Sequence, residues 1–322
     1  MQHTGYHRSA VVMMAVPVQG RIPFSNQTNL VREPYHKTGP QLPTPRTNER
    51  HFVSEYGSEI LAYFLEVERV IYSERLYMDR QSEITDRMRK ILIDWLIDVI
   101  TEFKLHSETF YLAVDIIDRF LFFYNIPRTK LQLVGITAVL VAAKHEEIWP
   151  PTMNDCVAVT ANTYTPREVI GMEFDVVTAL RFKFTVPTTY PIACRLLESC
   201  HMSPTVRHAT FLFLESAAHC YPLLQFLPSR IAAGALLLGV FLIRHNTSQD
   251  AIPLQRLWEI EVYPFAHGIR FEEVQPVTEQ LLPFTQRLCS GSSRLQAVRR
   301  KYSSHEYDCV AALEFPFVST SA

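Results

Sequence analysis

The chain has little of what most catalytic and scaffold chemistries are built from. Six cysteines occur in 322 residues and none forms a Cys-x-x-Cys pair. That excludes a disulfide framework and a zinc site built on paired thiols. Cys156, Cys194, Cys200, Cys220, Cys289 and Cys309 therefore read as small, buried or half-buried thiols in a reducing compartment. Glycine is scarce, with ten in all. None belongs to a Gly-x-Gly-x-x-Gly loop, a Gly-x-x-x-x-Gly-Lys loop or a Gly-x-Ser-x-Gly elbow, so phosphate cradles and exposed serine nucleophiles of those types are missing. His145-Glu146-Glu147 begins like a zinc-protease helix but lacks the second histidine. Without an Asp-Asp-x-x-Asp cluster an all-helical prenyl-transfer enzyme is disfavoured, and no metal or cofactor is expected. Net charge is small too: 31 basic against 33 acidic residues, without the basic excess of a nucleic-acid binder. The longest apolar runs, Leu131–Ala143 and Ile231–Ile243, are shorter than the roughly 20 residues a membrane helix needs. The apolar stretch Ala10–Val16 ends at Pro17 and is no signal peptide. A soluble protein without a membrane partner is expected.

What is abundant is helix-forming pattern. Hydrophobic residues make up 48% of the chain, enough for the two domains that its length suggests. Residues 1–50 stand apart, with six of the 20 prolines and six basic against two acidic residues. They read as a disordered, weakly basic leader. After residue 50, apolar residues recur at i, i+3, i+4 and i+7 and period-2 alternation is nearly absent. The spacing predicts helices near 55–72, 86–103, 108–124, 128–147, 153–160, 166–181, 188–201, 205–220, 228–245, 252–260 and 271–289. Start signals are Thr85-Asp86, Ser107-Glu108, Ser203-Pro204 and the capping box Thr165-Pro166-Arg167-Glu168. The later prolines are expected between periodic segments.

A weak repeat is visible. Pro127 and Pro228 each open a long helix rich in small residues, Gly135, Thr137, Ala138 and Ala142 in one and Ala232–Ala235 and Gly239 in the other. Small residues let several neighbours approach at once, so each helix reads as the centre of a bundle and the chain as two copies of one helical domain. The segment Met88–Phe103 carries two apolar stripes, Met88, Ile91, Leu92, Trp95, Val99 and Ile93, Leu96, Ile97, Ile100, Phe103. Such a helix is buried or offers one apolar face to a partner. Asp94 and Asp98 form its narrow polar edge, better read as solvated than as a paired-carboxylate active site.

The string MRKILIDWLIDVITEFKLHSETFYLAVDIIDRFL resembles the cyclin box of A- and B-type mitotic cyclins. The likeness continues through Lys130–Gly135 (KLQLVG), Ala143–Ile148 before Pro150-Pro151, Thr163-Tyr164-Thr165, Pro228–Ala235 (PSRIAAGA) and Lys301-Tyr302-Ser303. It implies an all-α fold of two tandem five-helix cyclin boxes with a preceding N-terminal helix. The expected divisions are a leader at 1–50, the helix and first box at 51–185, the second box at 186–304 and a C-terminal tail at 305–322.

By the same resemblance the chain is a cyclin, a non-catalytic subunit that binds and activates a cyclin-dependent serine/threonine kinase, drives G2/M progression and docks substrates. The kinase would be held by Lys144 and Glu173 as anchors on its αC helix, with Glu147 and Ile148 beside them. Val141, His145, Val177 and Phe184 would form the pocket for an αC side chain. Arg89 and Asp118 match an internal charge pair. Met88, Ile91, Leu92, Trp95, Asp98, Leu131 and Gln132 match a groove that receives Arg-x-Leu motifs of substrates or inhibitors. Three departures accompany these matches. His145 replaces the usual Phe or Tyr and implies an altered fit. Asp98 is shorter than the usual Glu or Gln. Lys90 puts a cation beside the groove. No Arg-x-x-Leu degradation motif occurs in residues 1–53; Arg89–Leu92 and Arg128–Leu131 fit the string but fall in core helices. Thr44-Pro45 is a minimal proline-directed phosphorylation site. Residence in nucleus and cytoplasm is implied by the family alone. The competing reading is a two-box transcription-associated protein, which would call for a zinc ribbon and a basic surface.

Overall fold

In a computed structural model the described residues are 56–72, 75–247 and 252–316, and they contain helices, turns and loops but no strand. The expected leader and Thr44-Pro45 lie outside them. Helix α1 (Gly57–Ile71) comes first. Five helices follow as one unit: α2 (Asp86–Glu102), α3 (Ser107–Phe123), α4 (Leu131–Glu146), α5 (Met153–Val159) and α6 (Pro166–Ala179). A second unit holds α7 (Thr189–Ser199), α8 (Pro204–His219), α9 (Pro228–Thr247), α10 (Leu254–Leu257) and α11 (Phe271–Cys289), and a short α12 (Ala297–Tyr302) follows. Among the described residues no helix is long and apolar enough to cross a membrane.

The helices begin where side chains can take up their free N–H groups. Thr85 accepts from Met88, Ser203 accepts from Val206, and Thr165 with Glu168 forms the expected capping box. Thr152 and Asp155 form another at α5. The expected start at Ser107 is built differently: α3 has no cap from its own neighbours, and the Glu147 carboxylate accepts from the His106 N–H at 2.6 Å instead. Prolines do not all fall between helices. Pro276 and Pro283 lie inside α11, whose Val274, Val277, Leu281 and Leu282 are buried. Burying that apolar stripe outweighs the lost backbone hydrogen bonds.

The two helices opened by Pro127 and Pro228 occupy equivalent central places. α4 is buried from Leu131 to Ala143 and packs against α2, α3, α5 and α6. α9 is buried over most of Pro228–Leu242 and packs against α7, α8, α10 and α11. Their glycines sit at the crossings: Gly135 faces Leu92, Gly234 faces Val277, and Gly239 faces the backbone of Thr210.

Polar ties join the second unit to α1 and to the segment before α2. Glu68 of α1 is buried and accepts from the Ser229 N–H at 2.9 Å, the Ser229 hydroxyl at 2.5 Å and the Arg230 guanidinium at 3.1 Å. Burial pushes its carboxyl pKa up, while Ser229 and Arg230 pull it back. The Tyr221 hydroxyl accepts the N–H groups of Tyr77 and Met78 at 2.5 and 2.7 Å. The segment after Ser304 is no free tail over its described part: Val310, Ala311 and Phe315 are buried, and the rings of Phe213 and Phe315 lie 6.1 Å apart. Four of the six cysteines are buried and two half-buried, all as free thiols.

Candidate functional site

The last turn of α4 and the face of α6 beside it carry the candidate anchors. Lys144 Nζ donates to Glu173 Oε1, joining side chains 29 residues apart. Both stay accessible, Lys144 at 49% and Glu173 at 19% of the side chain. The same two elements expose apolar side chains. Ile148 and Trp149 are exposed just past α4. Ile170 and Phe174 are exposed on α6, one turn apart, away from its buried stripe of Val169, Met172 and Val176.

Phe182 extends this surface. It is 72% exposed, and both it and Arg181 hold positive φ, 57° and 51°. The Phe182 N–H reaches back to the Val177 carbonyl at 3.0 Å, the bond that closes a helix end in a left-handed turn. Using two non-glycine residues there costs on the order of 1–2 kcal/mol each. The turn carries an aromatic ring into solvent next to Lys183 and Phe184. Trp149, Phe174 and Phe182 were not singled out from the sequence. The signal for Phe174 and Ile170 is there: they break the i, i+3, i+7 stripe that buries α6.

The expected pocket is present in outline. Val141 is buried, Val177 and Phe184 are half-buried, and the His145 ring lies 6.2 Å from the Phe184 ring with its face exposed. His145 Nε2 is 3.8 Å from the Glu146 carboxylate. Glu147 is a correction. It is not turned outward: its side chain is 8% exposed and accepts from the His106 N–H and the Thr109 hydroxyl at 2.6 and 2.7 Å. It caps α3 from the end of α4, and so holds the loop that presents Ile148.

Glu108 completes this acidic corner. Burial, with Glu146 and Glu147 adding to it and His145 opposing it, pushes its carboxyl pKa up to about 7. Between the ordinary value of 4.5 and about 7 the folded chain keeps a proton that the unfolded chain has released. Stability therefore falls as pH rises through that window. Glu108→Gln is expected to raise the urea-unfolding midpoint at pH 8 and to change it little at pH 4.5. Equal gains at both pH values would show the carboxyl to be unperturbed.

The second candidate set is less open than expected. Of the seven groove residues, Met88, Leu92, Trp95, Leu131 and Gln132 are buried, with Leu92 at 0% and Trp95 at 3% exposure. Only Ile91 and Asp98 reach the surface in part. The cause is packing: Leu92 fills the notch left by Gly135, and α12 lies across the polar edge of α2. Lys90 is held by Asp86 at 2.6 Å and sits 5.5 Å from the Phe284 ring, so its charge is neutralised locally. Arg89 and Asp118 pair as expected, through two hydrogen bonds of 2.7 and 2.6 Å.

Nothing among the described residues assembles a metal site. Burial pushes the thiols of Cys156, Cys194, Cys200 and Cys289 up to about 12, so they stay protonated near neutrality and are poor nucleophiles. What the described residues present is a two-unit helical protein with an accessible Lys144–Glu173 pair at the α4–α6 edge.

Comparison with known proteins gives this class its family. The model of the cyclin N-terminal domain matches residues 59–185 and that of the cyclin C-terminal domain residues 185–316. Cyclin-B1-2 of Arabidopsis thaliana is 37% identical over 257 residues, 80% of this chain and 55% of that protein. G2/mitotic-specific cyclin S13-7 of Glycine max is 38% identical over 237 residues, 74% of this chain and 88% of that one. Cyclin-A1 of Homo sapiens is 36% identical over 267 residues, 83% of this chain and 55% of that protein. The chain thus spans only about half the length of some of these relatives. Among solved structures, a viral cyclin from herpesvirus saimiri superposes with a TM-score of 0.58 at 21% identity, over 70% of this chain and 97% of that one, a likeness of fold. The chain belongs to the cyclin family, among relatives of the A and B types.

Proposed function

We propose that this chain is the regulatory subunit of a cyclin-dependent serine/threonine kinase, which it binds and activates to drive the G2/M step of cell division. The observation that carries the reading is the Lys144–Glu173 pair, held accessible at the α4–α6 edge, with Ile148, Trp149 and Phe174 exposed on or just past the same helices. A kinase of this kind needs its strand lysine paired with the αC glutamate and its activation loop ordered. A rigid helical partner supplies this by binding the active arrangement better than the inactive one. Shifting the equilibrium from about 1:99 to 99:1 takes roughly 5.5 kcal/mol of differential affinity. A standard interface of about 1,600 Å² accommodates that. The chain contributes no reacting group; it contributes two polar anchors, an apolar rim and stiffness. His145, smaller than the usual Phe or Tyr and exposed, adapts the pocket to a different αC side chain. The same reading includes substrate docking along α2 and residence in nucleus and cytoplasm, which imaging of a tagged full chain checks.

The deciding experiment is a pull-down with the full chain, wild type against Lys144→Ala plus Glu173→Ala, assayed for kinase activity. Wild type is expected to retain an active kinase and the double variant at least tenfold less, both with the same helical circular dichroism. Absence of kinase activity with the folded wild type sinks the proposal.

A further inference from the structure

Both carboxylates on the polar edge of α2 are engaged by α12. The six-residue α12 has no side-chain cap from its own neighbours. Asp94 supplies it from α2, accepting the N–H groups of Gln296 and Ala297 at 3.2 and 3.1 Å. One turn further along both helices, Asp98 accepts from the Arg300 guanidinium. The three cations of α12 divide their roles. Arg299 lies against Gly291, Lys301 turns inward to the buried Glu215, and Arg300 reaches over α2.

The pair is asymmetric. The Asp98 side chain is 22% exposed and Arg300 is 61% exposed. A carboxylate with that little water depends on a cation beside it, whereas an arginine that exposed loses little by leaving. Ile91, half-buried one and two turns before Asp94 and Asp98 on the same face, is the accessible apolar neighbour. The face thus offers an incoming peptide Asp98 for a cation and Ile91 as apolar neighbour, and a cation of the chain itself already holds Asp98.

We infer that Arg300 is a built-in competitor at the docking face of α2, setting how well this chain accepts peptides of the Arg-x-Leu type. The inference rests on the docking part of the proposed function and adds a specificity-determining residue to it. An incoming arginine gains Asp98 only by displacing Arg300. A peptide without that arginine gains nothing from the exchange. The discrimination that Asp98 offers is thus muted in this chain and is restored when Arg300 is removed.

The test is fluorescence polarisation with two labelled peptides, one containing Arg-x-Leu and one Ala-x-Leu, against the full chain. Arg300→Ala is expected to bind the arginine peptide about two- to fivefold more tightly than wild type, the size of an exposed ion pair. The alanine peptide is expected to show no gain, and adding Asp98→Asn to cancel the gain. Arg300→Gln, which keeps most of the side-chain stem, is expected to act in the same direction and serves if Arg300→Ala loses its fold. Equal affinity of wild type and both variants for the arginine peptide overturns the inference, as does the same gain for both peptides. Absence of binding in every variant overturns docking and this inference with it. Kinase retention in the pull-down is read separately and stands or falls apart from this result.

Discussion

Arg89→Ala is expected to lower the unfolding free energy by about 3–5 kcal/mol, the cost of leaving one member of a buried ion pair alone. The Arg89 side chain is 1% exposed and Asp118 is buried with it. Asp118 receives Arg89 Nε and Nη2 at 2.7 and 2.6 Å and the Tyr77 hydroxyl at 2.7 Å. The third arm of the guanidinium, Nη1, donates to the Ala218 carbonyl of α8 at 2.8 Å. One side chain thus ties α2 to α3, to the segment entering the first box and to the end of a helix in the second. Removing it leaves a buried carboxylate with a single donor. The loss is a large share of the 5–15 kcal/mol that ordinarily holds a domain. Urea unfolding of wild type, Arg89→Ala, Asp118→Ala and the double variant closes a thermodynamic cycle. The double variant is expected to lose much less than the sum of the singles, because neither charge is then stranded. Additive losses would show that the two residues act independently.

The second large effect concerns one substitution at two glycines. Gly239→Ala is expected to destabilise by about 1–3 kcal/mol, and Gly171→Ala to stabilise by roughly 1 kcal/mol. Both glycines lie inside helices, so both changes gain the same helix propensity. They differ in what a Cβ would meet. At Gly239 it would fall 2.6 Å from the Thr210 hydroxyl, 2.8 Å from its backbone nitrogen and 3.0 Å from its Cα. Backbone atoms of α8 cannot rotate away, so α8 and α9 must separate along the closest crossing of the second box. At Gly171 there is nothing within 4 Å. Thermal unfolding of both variants gives the comparison directly. A tolerated alanine at 239 would mean that the crossing is looser than its geometry.

Much of the architecture is legible in the residue pattern, and the exceptions have identifiable causes. Helical periodicity, caps at Thr85, Thr165 and Ser203, and the two small-residue helices give eleven helices whose ends match the structure to within a few residues. The expected helix over 252–260 divides, with a wide five-residue turn at Trp258–Val262, because Trp258 and Val262 both point inward. α12 was not anticipated. Six residues hold too little periodicity, and its cap comes from Asp94, some 200 residues away. The same distance hid the partner of Asp98. Glu147 misled for a related reason: its place in a motif says nothing about which way its carboxylate turns, and that is decided by the bare start of α3. Phe182 depends on a left-handed turn that composition does not announce.

The contact between Asp98 and Arg300 also has a history in time. The two residues are 202 positions apart. A ribosome adding about 5–20 residues per second reaches Arg300 roughly 10–40 s after Asp98. Throughout that interval the nascent first box carries its acidic ridge without the helix that covers it, and Asp94 has no backbone N–H groups of α12 to bind. The first box thus waits for a helix made after most of the second box, and its acidic face stays open until then.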